Sequence, residues 1–159
     1  MFEGRRVTVV VPAYNEEKLI GRVLETMPPL VDRIVVVDDA STDGTAAALV
    51  RAKECLGDRL RLIRHHGNGG VGAAIVTGYR AALEEGDNGL VVVMAGDGQM
   101  DPADLPRLLN PLVRDQADYT KGNRLFTGEA WKIIPRHRYL GNAAPVSYTH
   151  LTLPTIYSV

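Results

Sequence analysis

Short runs of apolar residues alternate along this chain with longer segments of helical periodicity. The runs are rich in valine, and they fall at 7–11, 34–37, 60–63 and 90–94, with a weaker one at 117–120. Because adjacent strand residues point to opposite faces, a run that is apolar on consecutive positions buries both faces, as in a parallel sheet covered by helices. The alternation therefore predicts an α/β fold with an open, doubly wound, mostly parallel Rossmann-like sheet.

Helices are predicted between these runs. Asn15 is expected to cap the first helix, because its side chain can bond the free N–H groups of a first turn. The second and third helices are expected over 45–56 and 70–85, each followed by a glycine. Asp101 is expected to cap the fourth helix, with Pro102 at its first position.

The composition is that of a globular domain, and it excludes several classes of function. Lys and Arg number 18 against 19 Asp and Glu, so no basic excess points to nucleic acid. The single Cys55 excludes an internal disulfide framework. No apolar run approaches the roughly 18 residues of a membrane helix, and the first residues lack the pattern of a signal peptide. We therefore expect a cytoplasmic protein that binds no nucleic acid.

Polar and glycine-rich segments follow each predicted strand, at 12–16, 38–45, 65–72 and 95–101. In a doubly wound sheet, ligands bind beyond the carboxyl ends of the strands. Carboxylate and amide oxygens suit Mg²⁺ or Mn²⁺, and such an ion screens the charge of a diphosphate. The sequence therefore predicts a metal-assisted nucleotide site at this edge of the sheet.

Carboxylates are the first candidate ligands at this edge. Asp38 and Asp39 are adjacent at the end of a buried strand, so they need hydrogen-bond donors or a metal. The alternative without a ligand is that one of them caps the following turn while the other is solvated. This could hold for Asp38, although Asp43 competes for the capping role, and Asp39 is the candidate ligand. Asp97 and Gln99 stand on alternate positions of a segment predicted to be extended, which would direct both at one cation. The alternative is a turn without a ligand, since glycines flank Asp97.

Other features at the edge are less specific. Residues 67–72 match G-x-G-x-x-G, but they follow the third strand rather than the first, which favours close helix packing over dinucleotide binding. Arg124 suits a phosphate, although a solvated arginine is nearly as well supported. His65 and His66 lack an accompanying Ser or Cys nucleophile motif, which favours structural or solvated roles.

In their order and spacing, the motifs of this chain resemble those of the family 2 glycosyltransferases of the GT-A fold, especially the polyprenol-phosphate (dolichol-phosphate) sugar transferases such as the mannosyltransferases. The resemblance covers residues 6 to about 142. Its motifs are VVVPAYNEE at 9–17, VDDASTDGT at 37–45, NGGVGAA at 68–74, GDGQ at 96–99 and GNR at 122–124.

The resemblance implies roles for individual residues. Asp97 would be the catalytic residue and would bind Mg²⁺ or Mn²⁺ together with Gln99. The family's acidic D-x-D motif has Ala95 in place of its first Asp, so the metal site is expected to rely more on phosphate oxygens and water. The residues implied to hold the nucleotide sugar are Pro12, Tyr14, Glu16, Val37, Asp39, Gly96, Asp97 and Arg124.

The resemblance also implies an inverting transfer of sugar from a GDP- or UDP-sugar donor. A phosphate monoester has a second pKa of about 6 and is already ionised at pH 7. A lipid phosphate acceptor therefore needs no general base to activate it. Since no convincing base stands at the edge, a polyprenyl (dolichyl or undecaprenyl) phosphate is the predicted acceptor. A nucleotidyltransferase that makes nucleotide sugars is one alternative, although it would be expected to carry a Gly-rich basic loop after the first strand. A catalytically silent nucleotide-binding module is the other, and Ala95 favours it.

The end of the chain differs from the rest. No charged residue follows Arg138, and residues 146–159 (VSYTHLTLPTIYSV) look like a translated sequencing-adapter read-through. We therefore expect the donor-binding part of a GT-A domain over residues 1–145, incomplete at its C-terminus, and a non-native tail over 146–159. The resemblance implies acceptor-side elements and often membrane helices in a missing region. Through them the full-length protein would associate with the cytoplasmic face of a membrane.

Overall fold

The computed structural model describes residues 1–122, apart from 85, 87 and 88, together with residues 157–158. The chain divides into two compact units, Met1–Ala103 and Asp104–Val159. Short 3₁₀ turns lie at Gly57–Arg59 and Pro102–Asp104. The strands and helices of the first unit are β1 (Val7–Ala13), α1 (Ile20–Glu25), β2 (Arg33–Asp38), α2 (Thr45–Leu56), β3 (Leu60–Arg64), α3 (Val71–Leu83) and β4 (Leu90–Val93).

The four strands of this unit form one parallel sheet in the order β3-β2-β1-β4. Val10 in the central strand β1 pairs with Val35 on one side and Val93 on the other. The chain moves outward from β1 to β3 and then returns past β1 to form β4. Since parallel crossovers are right-handed, α1 and α2 cover one face and α3 covers the other. The predicted doubly wound parallel sheet is confirmed.

The valines of β1 and β2 form the centre of the core. The sequence makes these strands apolar on adjacent positions, and the structure buries both of their faces. Side chains from both strands pack with α3 in one cluster, which consists of Val10, Val35, Val37, Ala74 and Ala81. Complete burial of a valine side chain stabilises a fold by roughly 1.5–3 kcal/mol, so this core holds the strand ends in place.

The first helix begins later than predicted. α1 starts at Ile20, and no side chain caps its first turn. Asn15 lies outside the helix with a positive φ of 56°. Its Oδ1 accepts the backbone N–H of Thr42 at 2.9 Å. The prediction that Asn15 caps a helix was therefore wrong, because the side chain joins two loops instead.

The second unit contains α4 (Leu105–Val113), β5 (Thr120–Lys121) and β6 (Tyr157–Ser158). β5 and β6 pair in a separate two-stranded sheet, so the weak strand predicted at 117–120 does not join the main sheet. Asp101 accepts the N–H of Ala103 at 2.9 Å and so caps the 3₁₀ turn rather than α4, whose N-cap is Asp104.

Two predictions fall on residues that the structure does not describe. These are the phosphate-binding role of Arg124 and the domain boundary at residue 145. Within the described ranges, no helix is long and apolar enough to cross a membrane.

Candidate functional site

The candidate site lies at the carboxyl edge of the main sheet, around the point where β1 has β2 on one side and β4 on the other. This is the switch point of the sheet, because the chain leaves β1 through α1 on one face and enters β4 from α3 on the other, and ligands of doubly wound folds bind there. Backbone bonds hold the segments beyond the strands. Asp39 N donates to Ala13 O at 2.9 Å, and His65 N donates to Asp38 O at 2.9 Å. The residues that directly follow β2 and β3 are therefore held to the neighbouring strands β1 and β2.

The loop after β1 is braced against the loop after β2 by side-chain hydroxyls. Asn15 N donates to Ser41 Oγ at 3.0 Å, and Glu16 N donates to Thr45 Oγ1 at 2.8 Å. With the bond from Thr42 N to Asn15 Oδ1, these contacts satisfy the backbone of an irregular loop. The loop is consequently held in a defined position beside the sheet edge.

Asp39 is nearly inaccessible, with 2% of its surface exposed. Its Oδ1 accepts the N–H of Gly69 at 2.9 Å and lies 2.6 Å from His65 Nδ1, and its Oδ2 accepts the N–H of Gly70 at 2.7 Å. Burial raises the pKa of Asp39, but the bonds from Gly69, His65 and Gly70 outweigh it and hold the pKa below its ordinary value. The carboxylate is therefore ionised at neutral pH and holds the glycine loop of residues 67–70 against β2.

The glycine pattern at 67–72 serves this carboxylate. In a dinucleotide fingerprint, the N–H groups at the start of the helix would face a pyrophosphate. Here the N–H groups of Gly69 and Gly70 are given to Asp39. Gly70 also has a φ of 83°, and a Cβ at Gly69 would lie 3.0 Å from Ala73 Cβ. The structure supports the packing interpretation of these glycines, as the sequence favoured.

Asp38 has a structural role. Its Oδ1 accepts the N–H of Ser41 at 2.9 Å, which caps the turn after β2, one of the alternatives that the sequence left open. Its Oδ2 lies 3.3 Å from Arg64 Nε. The charge of this buried carboxylate is therefore offset by a guanidinium on the next strand.

The negative charge of Asp97 acts on the carboxyl group of Glu16 across the switch point. Burial, and then the negative charges of Asp97 and Asp43, raise the pKa of Glu16 above its ordinary value. Like charges close enough to raise a pKa leave a local excess of negative charge, which a divalent cation can offset. The chain thus brings together residues that follow β1 and β4.

Asp97 lies in a turn, so the expectation of an extended segment was wrong. Its Oδ1 accepts the N–H of Gln99 at 3.0 Å, and Gly98 has a φ of 71°. Asp97 is half-buried and Gln99 is exposed. In the described part of the chain, no group of three or more His, Cys, Asp or Glu side chains is arranged to hold a metal. A cation here would need further oxygen atoms, from a diphosphate and from water, and the expectation drawn from Ala95 stays a prediction.

Three other predicted site residues are placed by packing. Pro12 pairs with Val37 across β1 and β2, and the Val37 side chain is fully buried in the α3 cluster. A Cβ at Gly96 would lie 3.3 Å from the carbonyl oxygen of Pro12 and 3.1 Å from Ile20 Cδ1. Tyr14, by contrast, is 47% exposed. Contacts of all four with a nucleotide stay predictions.

Several residues that shape the site were not singled out by sequence reasoning. In the sequence, Ser41 and Thr45 stand out only as members of a loop that contains Ser and Thr. Thr77 lies within a helix, where its sequence position gives no sign of a bond to His65. The bond between Thr77 and His65 depends on how α3 lies over the sheet. No local pattern in the sequence carries that information.

Comparison with known proteins identifies the family. Residues 8–156 match the family model described as glycosyl transferase family 2. The UDP-N-acetylglucosamine–dolichyl-phosphate N-acetylglucosaminyltransferase of Methanococcus voltae is 30% identical over 148 residues, which cover 86% of this chain and 59% of that protein. The polyprenol monophosphomannose synthase of Mycolicibacterium smegmatis is 31% identical over 153 residues, which cover 94% of this chain and 56% of that protein. The chain thus spans little more than half the length of these relatives.

Solved structures agree with this match. Glucosyl-3-phosphoglycerate synthase of Mycobacterium tuberculosis, in complex with Mn²⁺, UDP and glucosyl-3-phosphoglycerate, has a TM-score of 0.59 and 27% identity over 76% of this chain and 44% of its own. The mannosyltransferase PcManGT of Pyrobaculum calidifontis was solved in complex with GDP-Man and Mn²⁺. It has a TM-score of 0.51 and 36% identity, and the match covers 60% of this chain and 28% of its own. The predicted fold class and the resemblance are both confirmed: the chain belongs to glycosyl transferase family 2 and has the GT-A type of α/β fold.

Proposed function

We propose that this chain is the donor-binding part of an inverting glycosyltransferase that moves a sugar from a nucleoside diphosphate sugar to a polyprenyl phosphate. The observation that carries the proposal is that the negative charge of Asp97, which follows β4, raises the pKa of Glu16, which follows β1, at the same sheet edge where Asp39 follows β2. The names of two relatives, which refer to a dolichyl phosphate and a polyprenol, support the lipid phosphate acceptor. A lipid acceptor also supports action at the cytoplasmic face of a membrane.

The nucleoside would lie over the ends of β1 and β2. Tyr14 is exposed in the braced loop, where its ring offers a face for stacking. Glu16 follows in the same loop, and Asp39 ends the neighbouring strand segment. A ligand placed there meets aromatic and carboxylate groups that are already held by the fold, so little ordering is needed on binding.

The diphosphate would lie toward β4. Asp97 and Gln99 are the residues that would hold Mg²⁺ or Mn²⁺ there, and the crowding of Asp97 with Glu16 suits a cation. When bound, the ion supplies positive charge that screens the diphosphate as it leaves. The Mn²⁺ in the two solved neighbours supports a divalent ion.

The transfer step follows from the charges of the reactants. A phosphate oxygen of the acceptor attacks C1 of the sugar, and the bond from C1 to the diphosphate oxygen breaks with inversion at C1. The nucleoside diphosphate leaves with the electron pair of that bond. Because the attacking phosphate is already ionised, the described residues need only bind and orient the donor.

The test is turnover by the full-length protein. It is incubated with Mn²⁺, a short polyprenyl phosphate and, in turn, labelled UDP-glucose, UDP-N-acetylglucosamine and GDP-mannose, and label is counted in the organic phase. We expect a lipid-linked sugar from one donor. Binding of nucleotide without turnover would instead support a silent module, which Ala95 favours. Formation of nucleotide sugar from a sugar phosphate would support a nucleotidyltransferase, against the family match.

A further inference from the structure

The imidazole ring of His65 bridges two elements beside the candidate site. Its Nδ1 lies 2.6 Å from Asp39 Oδ1, and its Nε2 lies 2.9 Å from Thr77 Oγ1. His65 directly follows β3, Asp39 follows β2, and Thr77 belongs to α3. The side chain of His65 is 19% exposed and that of Asp39 is 3% exposed. The ring therefore connects the sheet edge to the covering helix in a largely enclosed setting.

The hydrogens of the ring follow from its partners. An ionised carboxylate only accepts hydrogen bonds, so Nδ1 carries a hydrogen and donates it to Asp39. A hydroxyl both donates and accepts, so Thr77 can bond Nε2 whether or not that atom carries a hydrogen. This placement of hydrogens is assigned from the hydrogen-bond arrangement. Both contacts of the ring consequently persist in the neutral and in the charged form.

We propose that His65 is a positioning residue of the nucleotide site, which orients the Asp39 carboxylate and, through it, the glycine loop of residues 67–70. The inference rests on the proposed function, because it gives His65 a part in the binding of the donor. Among the described residues, Gly69, Gly70 and His65 donate to Asp39, and the donor from His65 is the one that belongs to a side chain. That side chain is itself held by Thr77.

Loss of the ring would release the carboxylate. Oδ1 would keep only the N–H of Gly69, and rotation about the bond between Cβ and Cγ would no longer break a bond to a fixed ring. The backbone of the glycine loop lies close to α3 at Gly69, where an added Cβ would meet Ala73 Cβ at 3.0 Å. A rotated Asp39 would therefore leave the N–H of Gly69 poorly satisfied, while the N–H of Gly70 would keep its bond to Asn68 Oδ1 at 3.0 Å, and it would present a different edge to a nucleoside.

The experiment compares variants in the full chain by titration with UDP and with GDP in the presence of Mn²⁺. His65→Leu removes both ring bonds at similar volume, and His65→Asn keeps an N–H near the position of Nδ1. His66→Leu is the matched control, because His66 is the exposed neighbour in sequence. We expect about tenfold weaker binding for His65→Leu, as for the loss of one hydrogen bond to a charged group, and recovery to within about threefold for His65→Asn. The control is expected to match the wild-type protein.

If His65 had only a structural role, both His65 variants would have a lower melting temperature, but His65→Leu and His65→Asn would bind nucleotide equally well. Wild-type affinity in His65→Leu, or equal loss in the Leu and Asn variants, would overturn the proposal. If His65→Leu does not fold, Thr77→Val and Thr77→Ser replace the pair. Weaker binding in Thr77→Val with recovery in Thr77→Ser is then expected, and equal affinity in the two overturns the proposal.

A second readout separates this proposal from the proposed function. Amide hydrogen exchange at Gly69 and Gly70 reports on the hold of Asp39 without any nucleotide. If the wild-type protein binds neither UDP nor GDP, the proposed nucleotide site is refuted. The proposed role of His65 in nucleotide binding is then refuted as well. Faster exchange in His65→Leu would then show that His65 orders the loop, and unchanged exchange would remove that role too.

Discussion

Gly78 of α3 lies directly against Val10 of β1, so that a β-carbon at Gly78 would overlap Cγ1 of the valine. The missing side chain lets the helix approach the centre of the sheet and bury the cluster that holds Val37. The position of α3 decides where Thr77 and the glycine loop lie. The close packing of helix and strand therefore supports the site as well as the core.

We expect Gly78→Ala to lower the free energy of unfolding by about 1–3 kcal/mol, because an inserted methyl group overpacks the core. Gly72→Ala is the control, since Gly72 lies in the same helix with open space around it. There the better helix propensity of alanine should add up to about 1 kcal/mol. Urea unfolding measures both, and equal changes of one sign would contradict the packing argument.

Asp97→Asn is expected to abolish the metal-dependent part of nucleotide binding, because it removes the charge of the carboxylate proposed to hold the cation. The measurement is titration calorimetry with UDP and GDP, with Mn²⁺ and with EDTA. Asp101→Asn is the control, as Asp101 caps the adjacent 3₁₀ turn. Unchanged affinity in Asp97→Asn would remove Asp97 from the site.

Asp39→Ala is expected to weaken nucleotide binding with EDTA as well as with Mn²⁺, because its proposed contact is with the nucleoside rather than with the metal. The same titrations measure this effect. Circular dichroism verifies that the variant is folded, since the change also removes an acceptor from the N–H groups of Gly69 and Gly70. A loss seen only with Mn²⁺ would point to a role near the diphosphate.

The stability contributed by Asp39 is expected to depend on pH. Its pKa is lower in the folded chain than its ordinary value, so the ionised form stabilises the fold above about pH 4 and this contribution is lost as the pH falls through the folded pKa. The difference in unfolding free energy between the wild-type protein and Asp39→Asn should therefore stay constant from pH 7 to about pH 4 and narrow as the pH falls further. Urea unfolding at several pH values provides the test, and a difference that stays constant over the whole range would argue against the assigned ionisation.

Glu16→Gln is expected to stabilise the fold slightly at pH 7 while it weakens nucleotide binding. The raised pKa of Glu16 means that its ionised form opposes folding at pH values above the folded pKa. The gain should disappear in acid, where the carboxyl group is protonated in the folded and unfolded chains alike. Thermal unfolding at pH 7 and pH 3 measures this, and Glu17→Gln, in the same loop, serves as the comparison.

The strands could be predicted from the sequence because the valine runs of β1 and β2 are stable only when both of their faces are buried. Capping of the turn after β2 by a carboxylate was one alternative that the sequence left open, and the structure gives this role to Asp38, which accepts the N–H of Ser41. These features depend on neighbours in the chain. The ordered motifs added the family, which no single motif could identify.

The errors have a different origin. Asn15 has the composition of a helix cap, but Thr42 from another loop provides a partner for its side chain, and the helix begins at Ile20 instead. Asp97 and Gln99 were expected in an extended segment, but Gly98 permits a turn that the Asp97 carboxylate closes. In each case a side chain that bonds the backbone outweighs local propensity.

The strand order has a consequence for how the site is assembled. β1 pairs with β2 after a short connection, whereas the register of Val7 with Leu90 closes almost the whole first unit into one loop. The entropy lost on closing a loop grows with its length, so β4 is the strand whose docking costs the chain most. Glu16 and Asp97 come together only once that loop has closed. Any change that frees β4 therefore separates the two halves of the site while β1, β2 and β3 remain paired.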